Sequence, residues 1–179
     1  MFIFPDSLYC DVRMEEVFQT RIAFSFGNVQ EMLERRYIAA FIRVFDGVRW
    51  YYSATSSIDA IQEHINRLAS IAAPSQGVTE HPVVRKLENH RENLLLFSGP
   101  ESVSSRSIKE KYDLLSHYFP VIENYDHIRY WMAYYIDELR KKHFVSSKGA
   151  NISFDYQKIG LHIGYEMSLN GNQVKDSFS

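Results

Sequence analysis

The strongest constraint in the chain is an alternation of period two near its end. Ile159, Leu161, Ile163, Tyr165, Met167 and Leu169 are separated by single residues and run straight into Asn170-Gly171. Successive side chains of a strand point to opposite faces, so the pattern marks an extended segment with one apolar face, and Asn-Gly suits the positive φ of a tight hairpin. The same signal recurs at the front, where Ile22, Phe24 and Phe26 alternate with Arg21, Ala23 and Ser25 before Gly27-Asn28. The stretch YIAAFIRVF enters Asp46-Gly47, which matches a type I′ turn, and returns as VRWYYSA. With YCDVRMEE ahead and Val29 to Arg36 between, the first third predicts a meander of about five strands. A second meander follows later: Ile128, Tyr130, Met132, Tyr134 and Ile136 alternate, HFVSS leads to Lys148-Gly149, and ISFDY precedes the long alternation.

Between the two β-rich ends the period changes. Ile58, Ile61, Ile65, Leu68, Ala69 and Ala72 share one helical stripe, and Ser56 with Asp59 predicts a capping box. Burying the four large side chains of that stripe contributes roughly 6–10 kcal/mol before entropy is subtracted, enough to seat the helix on a sheet. Pro74 to Gly77 stops it, and a polar connector runs to about Asn93. NLLLF is short and wholly apolar, which fits a buried strand or a turn of buried helix. A second helix is predicted from Ser107, capped by Glu110, with Ile108, Tyr112, Leu115 and Phe119 on one face and Pro120 as its end.

The order meander, helix, strand, helix, meander predicts a single α+β domain over residues 1–179, a largely antiparallel β-sheet with two main helices packed on it. The pattern leaves open whether the two meanders form one sheet or two. Lys and Arg total 20 against 22 Asp and Glu, a formal charge of -2, so nothing draws the whole chain to nucleic acid or to an anionic membrane. Cys10 is the only cysteine, which excludes an internal disulfide and a Cys-built zinc cage and makes a cytoplasmic location the simplest expectation. Phe2-Ile3-Phe4 halts at Pro5, short of a signal-peptide core. The polar ending NQVKDSFS follows a turn and suggests a fragment or a shortened homologue.

Taken in order, YCDVRMEE, TRIAFSFGNVQEM, FIRVFDGVRWYYSATSSID and FVSSKG resemble the N-terminal domain of the TldD/PmbA family, metallopeptidases also described as modulators of DNA gyrase. The matching features are Asp11-Val12-Arg13, Gly27-Asn28, Arg43-Val44, Asp46-Gly47, Trp50 to Tyr52 and Ala54-Thr55. Two departures stand out: Ala39 and Phe41 replace glycines, and Lys148 takes the place of an acid in the turn Ser146-Ser147-Lys148-Gly149. The resemblance implies a two-domain protein, a homo- or hetero-dimer, whose C-terminal domain holds zinc on a His-Glu-x-x-x-His helix and carries out proteolysis. Zinc is therefore expected only in that further domain, with no cofactor and no catalytic residue in this chain.

The spacing of the histidines points the same way. A zinc peptidase needs two imidazoles one helical turn apart and a carboxylate to activate water. None of His64, His81, His90, His117, His127, His143 and His162 is followed by Glu, and no two lie within eight residues of each other. No glycine-rich phosphate loop is present. Ser146-Ser147 beside Lys148 reads as a hairpin turn rather than a Ser-Lys pair, and His64 as a residue on the polar face of its helix. Arg13 and Arg43 fall on strands, where a guanidinium faces solvent or an internal carboxylate such as Asp11, Glu15 or Glu16. They are also candidates to dock a peptide carboxylate or a partner domain. Tyr51 and Tyr52 join them as candidate contact residues, because amphipathic rings give rigid contact area at little entropic cost.

The leading expectation is a non-catalytic domain that frames a peptide channel and supports dimer assembly, its partners being a peptide or its own C-terminal domain. The alternative is a stand-alone module that binds peptide by β-strand addition. No membrane or nucleic-acid partner is expected.

Overall fold

Residues that break a strand, and their absence, set the element lengths. In the computed structural model, which describes residues 2–25 and 27–179, β1 (Tyr9–Ser25) and β2 (Asn28–Phe45) are 17 and 18 residues long. The sequence pattern predicts four shorter strands there. Neither span contains Gly or Pro, so the ladder meets no residue that would interrupt it, and the first meander has three strands once β3 (Trp50–Thr55) is added. Phe26, the last apolar residue of its predicted alternation, lies outside the described residues; Ile22 and Phe24 are buried as expected.

The Asp46-Gly47 turn is not of type I′. Only Gly47 has positive φ, at 95°, and four residues link the paired Phe45 and Trp50. The Asp46 carboxylate shapes this wider loop by accepting the backbone N–H of Val48 at 2.8 Å and of Arg49 at 2.7 Å and the Tyr51 hydroxyl at 2.9 Å. That satisfaction by side chain is the usual means by which Asp organises a loop.

A single 3₁₀ turn leads into α1 (Ile61–Ile71). The predicted Ser56–Asp59 capping box does not form: Ser57 is the cap residue and makes no side-chain cap, while Thr55 Oγ1 accepts the Ser57 N–H at 3.0 Å. Next come α2 (Pro82–Arg85) and β4 (Arg91–Leu94). The NLLLF segment is not buried, since Leu94, Leu95 and Leu96 are exposed and β4 is a terminal strand paired with one neighbour. Helix α3 (Ile108–Ser116) carries the predicted capping box intact, with Ser107 and Glu110 exchanging hydrogen bonds. Pro120 opens a helix instead of closing one: it sits in the first turn of α4 (Phe119–Glu123), where a missing N–H costs nothing.

The remaining strands are β5 (Ile128–Ser146), β6 (Asn151–Leu169) and β7 (Asn172–Phe178). HFVSS simply continues β5, and NQVKDSF forms β7 on β6 beyond the predicted Asn170-Gly171 turn. The strand order is β3-β2-β1-β5-β6-β4, with β7 also on β6. The β2–β3 and β6–β7 pairs are antiparallel and the β4–β6 pair is parallel, giving the α+β class expected.

Contacts divide the residues into two units to which the long strands contribute segments. The first comprises residues up to Val17, Tyr37–Leu96 and Arg140–Asp155. Its core sets Cys10, Val12, Ile42 and Val44 against Ile61, Ile65 and Leu68 of α1. The second comprises Phe18–Arg36, Phe97–Leu139 and Tyr156–Ser179. There Ile22, Phe24, Trp131, Ala133 and Tyr135 pack under Leu115, Phe119 and Ile122 of α3 and α4. The buried face of β5 is thus that of Trp131, Ala133 and Tyr135. Tyr130, Met132 and Tyr134, in the alternation the sequence emphasises, are only half-buried, and Ile136 is exposed. Both parities of this strand carry large side chains, so alternation alone could not choose between them. Among the described residues no helix is long and apolar enough to cross a membrane.

Candidate functional site in the first unit

In the first unit the period of two sorts β1 into two sides. Cys10 and Val12 face α1, which leaves Tyr9, Asp11, Arg13 and Glu15 on the opposite side. Asp11 is fully buried, yet its charge is well provided for. It accepts the Tyr9 hydroxyl at 3.0 Å and a two-pronged contact from Arg43, whose Nε lies 3.0 Å from Oδ1 and whose Nη2 reaches Oδ2. Such fork-to-carboxylate pairing fixes orientation as well as charge. The Arg43 guanidinium also lies 4.7 Å from the centre of the Trp50 ring. The hydrogen bond to Asp11 raises the Arg43 pKa, and burial followed by the nearby Asp11 charge raises that of Tyr9 and pushes the Cys10 thiol up to about 12. Cys10 is therefore a packed, protonated thiol without nucleophilic character.

Arg13 is held differently. Its Nε is 3.9 Å from Asp11, beyond hydrogen-bond distance, and its guanidinium sits 5.7 Å from the centre of the Phe144 ring with 55% of the side chain exposed. Glu15 beside it is engaged by Arg140 at 2.7 Å and Lys142 at 3.4 Å. Arg13, Glu15 and Lys142 border a concavity of about 760 Å³ whose walls include Tyr37, Phe41, Phe144 and Phe154, with Glu88 and Leu87 on the side of α2.

Of the four sequence-predicted contact residues, Arg13 and Arg43 line this concavity. Tyr52 stands beside it, 56% exposed and stacked on Phe41 with ring centres 5.8 Å apart. Tyr51 points the other way, packs against the α1 core and spends its hydroxyl on Asp46. Tyr37, Phe41, Lys142, Phe144 and Phe154 are not among the contact residues expected from the sequence. A signal existed in the equal parity of Tyr37, Phe41 and Arg43 on β2 and of Lys142 and Phe144 on β5, but nothing in the sequence says which parity the helix leaves uncovered.

The other motifs resolve as structural. Ser147 Oγ accepts the Cys10 N–H at 2.9 Å, and Lys148 donates to the carbonyls of Val84 at 3.0 Å, Arg85 at 2.9 Å and Leu87. A cation in place of the acid at this turn thus meets the carbonyls that end α2. His64 Nδ1 faces Ser53 Oγ at 2.6 Å, but its other neighbour is Arg67 at 3.1 Å, a donor that keeps this nitrogen as acceptor and supplies no carboxylate to orient the ring.

His81 caps α2, His90 pairs with Glu92, His143 with Asn151 and His162 with Ser179, each in its own local contact. Among the described residues no three His, Cys, Asp or Glu side chains converge where a metal could be held.

This geometry can be set against known proteins. Residues 10–72 match the model of PmbA/TldA metallopeptidase domain 1. The fold is similar to that of a candidate modulator of a DNA gyrase from Thermotoga maritima, with a TM-score of 0.77 at 13% identity over 96% of this chain. A candidate modulator of DNA gyrase from Bacteroides thetaiotaomicron gives 0.66 at 12% identity over 94%, and TldE from Thermococcus kodakarensis gives 0.66 at 9% identity over 94%. In each case the chain spans 39% of the length of the matched structure. Among curated proteins none matches. The resemblance to the N-terminal domain of TldD/PmbA proteins is thus borne out, by the family model over residues 10–72 and by the similar fold over most of the chain.

Proposed function

We propose that this chain is a non-catalytic, polypeptide-handling domain of a TldD/PmbA-type system, which frames the path of a peptide and supports assembly with its own C-terminal domain or a second subunit in the cytoplasm. The observation that carries this reading is the open concavity of the first unit, which pairs aromatic walls with strand-borne cations. Concave, mostly apolar surfaces with a few placed polar groups are the usual form of a binding site. The test is to titrate the purified chain with short unstructured peptides by calorimetry, while measuring zinc by elemental analysis and peptide cleavage with and without chelator. Saturable binding without cleavage is expected. Stoichiometric zinc with chelator-sensitive cleavage would overturn the proposal.

A second reading, peptide capture by strand addition, is favoured by one feature: among the described residues β3 is a terminal strand whose partner is β2, and it carries the exposed Tyr52. Proline placed in alternate positions of β3 distinguishes the two modes, because it blocks added-strand hydrogen bonds and leaves the concavity in place.

A further inference from the structure

We infer that the concavity of the first unit recognises a single carboxylate, the free C-terminus of a peptide ending in a bulky apolar residue, with Arg13 as its anchor. The inference rests on the polypeptide-handling reading above and adds the chemistry of the ligand. The geometry assigns the role to Arg13 by what the other cations are already doing. Arg43 is committed twice, to the Asp11 carboxylate through Nε and Nη2 and to the face of Trp50, and only 17% of its side chain is exposed. Asp11 in turn receives its hydrogen bonds from Tyr9 and Arg43, so its charge is matched without help from Arg13. Arg13 therefore keeps its five N–H donors for a ligand, while Phe144 beneath it limits the orientations of the guanidinium plane.

The surroundings select the kind of anion. Glu15 and Glu88 border the same concavity, where Arg43 is held by Asp11 and Lys142 is engaged with Glu15 at 3.4 Å, so a doubly charged phosphate would meet carboxylates with Arg13 as its one outward guanidinium. A singly charged, planar carboxylate matches the fork of Arg13 without that penalty. Phe41, Phe154 and Tyr37 supply apolar wall within the same space of about 760 Å³, which suits an α-carboxylate because its neighbouring Cα bears a side chain to bury. An internal Asp or Glu carries its carboxylate on a flexible stem and brings no such group.

The experiment uses the intact chain and three probes: acetyl-Ala-Ala-Phe as free acid, the same peptide as C-terminal amide, and acetyl-Ala-Glu-Ala amide. Binding is read by calorimetry for the wild type and for Arg13→Gln, whose exposed site leaves the fold unchanged by thermal melting. The free acid is expected to bind about tenfold more tightly than either amide, and Arg13→Gln to remove that difference while leaving the weaker amide binding in place. Added salt should weaken the free acid more than the amides. Equal binding of acid and amide by the wild type, or an unchanged preference in Arg13→Gln, overturns the carboxylate assignment but leaves peptide handling standing. Preference for the Glu peptide assigns the site to acidic side chains and overturns the inference. No binding of any probe removes both.

Discussion

The two units build the same polar device and cover it differently. In the first, Tyr9 donates its hydroxyl to Asp11 two residues on, at 3.0 Å, and Arg43 supplies the cation. In the second, Tyr135 donates to Asp137 two residues on, at 2.7 Å, and Lys111 lies 2.8 Å from the same carboxylate. Both carboxylates are wholly buried. The difference lies in where the cation comes from. Lys111 descends from α3, is 2% exposed, donates also to Thr20 Oγ1 at 2.7 Å and covers the Phe18 ring at 4.6 Å. The device in the second unit is closed by a helix and fully satisfied. In the first unit the cation comes from a neighbouring strand and that side of the strands borders an open concavity, so the same chemistry sits beside solvent. A shared motif thus does not imply shared surroundings; the covering element decides.

The contrast can be broken first at its closed end. Asp137→Ala leaves Lys111 buried without its counter-ion and also strips acceptors from Thr20 and Tyr135, so a loss of about 3–5 kcal/mol is expected in urea denaturation. Asp11→Ala is the matched change in the first unit. Arg43 there can turn partly to water, and a smaller loss of about 1.5–3 kcal/mol is expected in the same measurement. Equal losses would mean that exposure of the cation does not separate the two devices.

Asp46 offers a pH-resolved comparison within the first unit. Backbone N–H donation from Arg49, with further donation from Val48 and Tyr51, holds its carboxyl at about 2, below an ordinary value of 3.8. A depressed folded-state pKa contributes stability that is complete above the unfolded value and is lost as pH falls through the folded one. Asp46→Asn should therefore cost about 1–2 kcal/mol at pH 7, and the gap to wild type should close between roughly pH 4 and pH 2 in denaturation series. A gap that widens on acidification would contradict the hydrogen-bond arrangement. The smallest effect is expected in the second unit at the cap of α3, where Ser107→Ala removes one arm of the box and costs about 1 kcal/mol by thermal or urea unfolding.

Much of this was readable in the residues, for identifiable reasons. The Ser107–Glu110 box formed because its partners are three residues apart and need no distant contact. The Asn170-Gly171 turn formed because both residues accept positive φ, observed at 51° and 79°. The Asp46-Gly47 prediction failed in type because the Asp46 side chain found donors at Val48, Arg49 and Tyr51 and stabilised a four-residue loop instead. Of the concavity, Arg13 and Arg43 were legible as strand-borne cations, with Tyr52 beside them. Tyr37, Phe41, Lys142, Phe144 and Phe154 were not, because they come from strands far apart in sequence.

By itself the sequence determined the class of structure, since period-two runs, two helical stripes and glycine-bearing turns are local properties of the chain. Tertiary structure alone decided which face of each strand is covered. On β5 both parities bear large apolar groups, and the packing of α3 and α4 selected Trp131, Ala133 and Tyr135 for the interior. On β1 the seating of α1 against Cys10 and Val12 left Arg13 outward beside Phe144. Alternation supplies two faces and cannot rank them; burial against a particular helix does, because it removes apolar surface from water on one side only.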